Sequence, residues 1–300
     1  MGSANRDGSD ETFTVLVTGF APFKRDYPVN PSWEIARSLP DWLHPLRAKA
    51  PRLPSSSHPQ HSPLTSFPPT TTTSSSSTSP HPSTTTSPGN VPPRPAPPLP
   101  AVRILTHPSP IRVTYATVRD LVPRLWDLDG TTHPGRPGID AVIHIGMAGP
   151  RLFYSIERRG HRDGYCMPDV DGLLPEGGTV GREGKGDGEG KRLVPGELET
   201  DFDIEDVLGR WRGYAPSHMD LRISEDAGHY LCDFIYFSSL AHLCKAGERR
   251  RVLFLHVPSD ASAHNIALGR ELVLQLIRSV VESEMLRKGT ADKEASGSGS

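Results

Sequence analysis

The chain lacks any apolar run approaching the roughly 18 residues that cross a bilayer, and its opening MGSANRDGSDE has no apolar stretch of the kind a secretory leader carries. The expectation is a soluble, cytoplasmic protein with no membrane partner. Charge of one sign is missing too. Lys and Arg total 33 against 35 Asp and Glu, interspersed throughout, so no basic face suited to nucleic acid stands out. Cysteine is scarce. Cys166, Cys232 and Cys244 form an odd, sparse set without a CxxC pair, which fits a reducing compartment better than a disulfide framework or zinc site and leaves at least one thiol free. His58, His61, His81, His107, His133 and His161 fall in loops without metal-ligand spacing. They read as surface residues, and no metal or other cofactor is expected.

Apolar residues make up only 35% of the chain, because part of it contributes no core. Residues 51–100 are the plainest case. Of those 50 positions, 36 are Pro, Ser or Thr, a composition that reads as a disordered surface insertion, with a Pro-rich docking segment as the other reading. The Gly-rich, charged stretch 177–191 holds neither GxxxxGK[ST] nor GxGxxG and reads as a loop. Small polar tails are expected at 1–11 and 289–300, leaving a single domain at 12–288 interrupted by the insertion.

The remainder alternates between β-rich runs and amphipathic segments. Strands are expected at 13–18, 102–105, 111–114, 141–145, 221–223 and 252–256. Helices are expected at 31–39, 118–128, 204–211, 228–246 and 263–287. Asn30 followed by Pro31 is a helix start, since proline at the first helical position gives up an N–H that would have no partner. Such alternation predicts an α/β fold with a mainly parallel twisted sheet covered on both faces. Reactive residues in such sheets gather beyond the carboxyl ends of the strands.

Three segments carry candidate chemistry. Ser224-Glu-Asp-Ala-Gly-His-Tyr-Leu-Cys232 runs from a strand through Gly228 into a helix. A cysteine near a helix N-terminus is favoured as a thiolate by the helix dipole and by N–H groups without partners; the alternative is a buried structural cysteine, the reading Cys244 receives. His256 ends the apolar run Val252 to His256 just before Val257 and Pro258, where it serves either as a general base or as a core histidine. Glu157 follows Phe153, Tyr154 and Ile156. A carboxylate among such neighbours needs a partner, either an imidazole or the adjacent Arg158.

Four blocks resemble the pyroglutamyl peptidase I family: Val17-Thr-Gly-Phe-Ala-Pro-Phe23 with Asn30-Pro-Ser-Trp33, Gly146 through Arg158, Ser224 through Asp233, and Phe254-Leu-His-Val-Pro258. The second block fits the family's glutamate signature, with Tyr154 at its aliphatic position. The resemblance implies a three-layer α/β/α sandwich. It also implies a cysteine peptidase, with Cys232 as nucleophile, His256 as base and then acid, and Glu157 orienting His256. Phe20, Phe23 and Leu231 are implied to hold the flat, neutral pyrrolidone ring of peptides that begin with pyroglutamate. Lys24 departs from the glycine usual after the Pro-Phe pair, and Gly160-His161 replaces the bacterial Ala-x-Asn. Two other readings stand beside this one. One is a catalytically silent homologue that binds through the insertion, and the other a cysteine amidohydrolase for a different blocked terminus.

Overall fold

The computed structural model describes residues 12–43, 99–126, 138–149, 151–175 and 194–297, without the side chains of 290–297. The expected tail 1–11, the loop 177–191 and all of the 51–100 insertion except Leu99 and Pro100 lie outside the described residues. Those described fall within one compact unit.

In chain order the elements are β1 (Thr12–Gly19), α1 (Pro31–Arg37), β2 (Trp42–Leu43), β3 (Ala101–Thr106), α2 (Tyr115–Leu125), β4 (Ala141–Met147) and β5 (Tyr154–Glu157). They continue with β6 (Arg159–His161), β7 (Glu197–Glu199), α3 (Ile204–Tyr214), β8 (Leu221–Ser224), α4 (Leu231–Ala246), β9 (Val252–Val257) and α5 (Ala263–Gly297). Seven strands form the main sheet in the order β2-β3-β1-β4-β9-β5-β8, while β6 and β7 form a small ribbon. The β3, β1, β4 and β9 strands are parallel, but β5 runs antiparallel to β9 and short β2 antiparallel to β3.

Every residue of β4 and β9 is buried, as expected where helices cover both faces. Ile143, Ile145, Leu253 and Leu255 pack with Ile35, Trp211 and Ile277, putting α1, α3 and α5 on one face. On the other, Val142 and Phe254 pack with Val118, Phe234 and Phe237 of α2 and α4. This is the α/β/α sandwich that the resemblance implies, with the sheet covered on both faces as the alternating pattern predicts.

Three expectations shift. The strand expected at 111–114 is a single bridge, Phe20 to Ile111, because Thr114 is instead the N-cap of α2, accepting from the Thr117 N–H. The helix expected from 228 begins at Leu231, after Gly228 adopts a φ of 82° that suits glycine. At the other end, α5 continues to Gly297, where a tail from 289 was expected; Ala291, Lys293, Glu294 and Ala295 are good helix formers.

Candidate active site

Strands β1, β4 and β9 run in parallel and bring their carboxyl ends to one edge of the sheet. Register fixes which residues share a face there. Gly146 of β4 stands opposite His256, while Ser155 and Glu157 of β5 stand opposite His256 and Phe254. Phe254 packs against α2 and α4, and residues two apart on a strand point the same way. His256, Ser155 and Glu157 therefore face α4, as would a side chain at Gly146.

Glu157 is fully buried. Its Oε1 accepts from His256 Nδ1 at 2.7 Å, Ser155 Oγ at 3.0 Å and Arg151 Nη1 at 3.0 Å. Its Oε2 is buried with no hydrogen bond. A buried carboxylate is strongly disfavoured unless a cation offsets it, and Arg151 supplies one from the segment between β4 and β5. With Glu157 accepting, Nδ1 carries the imidazole proton and Nε2 is the basic nitrogen. The alternative pairing with Arg158 does not occur. Arg158 instead bonds Glu205 and Glu225 at 2.5 and 2.8 Å.

Cys232 is the second residue of α4. Side chains cap α1, α2 and α3, but Tyr230 makes no such bond at α4, leaving first-turn N–H groups without an intrahelical acceptor. A Cβ on Gly146 would lie 2.8 Å from Cys232 Sγ and 2.6 Å from Phe254 Cζ. The sulfur thus rests on β4 beside the position His256 occupies in β9. Among the described residues no hydrogen bond joins the thiol to His256. Burial, reinforced by the charges of Glu157 and Asp233, pushes the thiol up to about 12, and Arg151 opposes the shift. That direction is opposite to the one expected for a cysteine at a helix N-terminus, because desolvation outweighs the terminus, although Cys232 keeps partial exposure.

A small open pocket adjoins Cys232. Phe20, Phe23, Asn30, Val113, Met147, Tyr230, Leu231 and Cys232 line it. All three residues proposed from sequence to hold the ring are therefore brought to the thiol. Lys24 Nζ lies 5.5 Å from the centre of the Phe23 ring. The sequence reading missed Arg151, Ser155 and Tyr230; Arg151 and Ser155 lie inside the glutamate block, and only the register of β5 reveals their role. Cys244 is buried as expected, and Cys166 is exposed.

No protein-family profile matches the chain. Pyroglutamyl-peptidase 1 of Rattus norvegicus is 30% identical over 181 residues, covering 60% of this chain and 72% of the relative. The chain belongs to the pyroglutamyl-peptidase 1 family. The family member from Homo sapiens is equally similar, 30% identical over the same lengths. Among solved structures, pyroglutamyl peptidase I from Bacillus amyloliquefaciens shares the fold at a TM-score of 0.55 and 17% identity, over 90% of this chain and 96% of that one. This family member has no helix among its described residues that is long and apolar enough to cross a membrane.

Proposed function

We propose that the chain is a cysteine peptidase, its 12–288 region one catalytic domain, that removes pyroglutamate from peptide N-termini. The observation that supports this best is the 2.7 Å bond from His256 Nδ1 to buried Glu157, on the face that Cys232 Sγ meets at Gly146. In this reading His256 Nε2 removes the Cys232 proton as sulfur bonds to the pyroglutamyl carbonyl carbon. With the resting group a thiol in this reading, proton transfer accompanies attack. The free N–H groups at the start of α4 donate to the oxyanion.

His256 then gives its proton to the leaving amine as the C–N bond breaks, leaving a thioester. Water attacks that thioester, its proton passing to Nε2 while the S–C bond breaks and the thiol is restored. Phe20, Phe23 and Leu231 receive the neutral pyrrolidone ring. An ordinary N-terminus carries an ammonium, which loses its hydration in such a pocket without a compensating partner.

A second reading, a cysteine amidohydrolase for another blocked terminus, is favoured by Lys24, whose cation sits over Phe23 where an anionic group would be welcome. The test is fluorophore release from pyroglutamyl, glutaminyl, prolyl and N-acyl amides by wild type and Cys232→Ala. Pyroglutamyl-selective release that Cys232→Ala abolishes supports the peptidase. Release from an N-acyl amide alone supports the second reading, and no release from folded protein would refute both.

A further inference from the structure

A cluster outside the pocket arises where the β6–β7 ribbon packs on α4. One nitrogen each from His161 and His229 and one carboxylate oxygen of Asp233 lie within 4.8 Å of one another. The spacing of these residues along the chain gives no sign of it, and His161 had read as a surface loop residue. His161 lies in β6 with its side chain 17% exposed, and its Nδ1 is 3.3 Å from Asp233 Oδ1. His229, in the turn before α4, brings Nδ1 to 3.9 Å from Asp233 Oδ2. The two imidazole rings are 4.9 Å apart.

We propose that His161, His229 and Asp233 form a binding site for a divalent transition metal ion, one residue along the chain from the thiol. Two imidazoles and a carboxylate are the donor set of zinc-class ions rather than of magnesium or calcium, which take oxygen ligands. The geometry needs little change. Metal–ligand bonds of about 2.0–2.2 Å at tetrahedral angles separate ligands by roughly 3.3 Å, the distance His161 and Asp233 already have. His229 must close by on the order of 1 Å, and its side chain is 46% exposed and open to rotation on its solvent side.

Asp233 retains capacity for the ion. It accepts from the His161 N–H and from the Tyr165 hydroxyl, but a carboxylate offers about four lone-pair sites. Tyr165, whose single hydroxyl proton is shared between Asp233 and the His161 carbonyl, orients the carboxylate much as an outer partner orients a metal ligand. The Asp233 side chain is wholly buried, and a cation would offset its charge. Water from the exposed side would complete the coordination.

The test is calorimetric titration of Zn²⁺ into the full chain carrying Cys166→Ala and Cys232→Ala, with Cys244 buried, so that exposed thiols do not bind the probe. One ion per chain is expected, with affinity at least tenfold weaker after His229→Ala. Co²⁺ in the same protein should give d–d absorption without a thiolate charge-transfer band. If His229→Ala, folded by its thermal melt, binds Zn²⁺ with unchanged stoichiometry and affinity, or if the double variant binds none, the site does not exist. Neither readout depends on peptidase activity, so this proposal and the catalytic reading fail separately.

Discussion

Replacing Gly146 by alanine would put a methyl group 2.6 Å from Phe254 Cζ and 2.8 Å from Cys232 Sγ. Apolar atoms rest at about 3.5–4.0 Å, so the sulfur, the Phe254 ring or β4 must give by roughly 0.7 Å or more. Neither neighbour is at the loose end of a flexible chain. Phe254 is fully buried between Tyr236 and His256, with ring centres at 5.9 and 4.8 Å, and Cys232 is fixed to the first turn of α4. Overpacking of this kind costs about 1–3 kcal/mol of stability. A displacement approaching 1 Å at a reacting group costs on the order of 100-fold in rate. The expected outcome is kcat/KM for a pyroglutamyl fluorophore amide reduced about 10- to 100-fold, with a melting temperature lower by about 2–4 °C per kcal/mol lost. Undiminished kcat/KM together with an unchanged melting temperature would refute the claim that the sulfur rests on Gly146.

Other variants test the neighbouring contacts. Glu157→Gln keeps the shape but removes the charge that orients His256, and kcat should fall about 10⁴-fold, measured with the same substrate under saturation. Arg151→Gln removes a charged bond to Glu157, worth about 1.5–3 kcal/mol, and kcat for the same substrate should drop at least tenfold. Iodoacetamide alkylation of Cys232 should keep accelerating above pH 9, since burial raises its thiol to about 12; a plateau at neutral pH would contradict a resting thiol. His144, bonded to Thr18 Oγ1 and Ser239 Oγ, is held down to about 3 by burial. Its ordinary value is near 6.5, so between about 3 and 6.5 the unfolded chain binds a proton that the native one does not. Stability present above pH 6.5 is therefore lost as pH falls, by about 1.4 kcal/mol per unit, and urea unfolding of His144→Gln should lack that component.

The parts of the fold written in local pattern were legible. The runs Ala141 to Ile145 and Val252 to His256 announced β4 and β9, and Asn30-Pro31 announced α1, because burial and capping leave marks on neighbouring residues. The order of β5 was not legible. Tyr154 to Glu157 is too short to distinguish a strand from a loop, and its antiparallel place beside β9 is set by tertiary packing. That placement decides the partners of Glu157, so Arg151 and Ser155 could not be chosen over Arg158 from spacing. The environment of the thiol was not legible for a related reason: a helix N-terminus can be read from Gly228 onward, but the carboxylates of Glu157 and Asp233 that act on Cys232 cannot. Likewise, His161 and Asp233 are 72 positions apart and meet only because the ribbon folds onto α4.

The sheet's edge has a consequence for the length of the chain. Trp42 and Leu43 pair with Arg103 and Val102, so the polypeptide leaves β2 and returns at β3 within one antiparallel rung. Two ends already held together make the number of residues between them thermodynamically inexpensive. Closure entropy grows only with the logarithm of length, and enlarging a connection from a tight turn to roughly fifty residues costs about 2 kcal/mol. The β2 strand also lies at the outer margin, with β3 and β1 between it and β4. This edge can thus serve as a port at which sequence is gained or shed without re-registering the strands that hold Gly146 and His256.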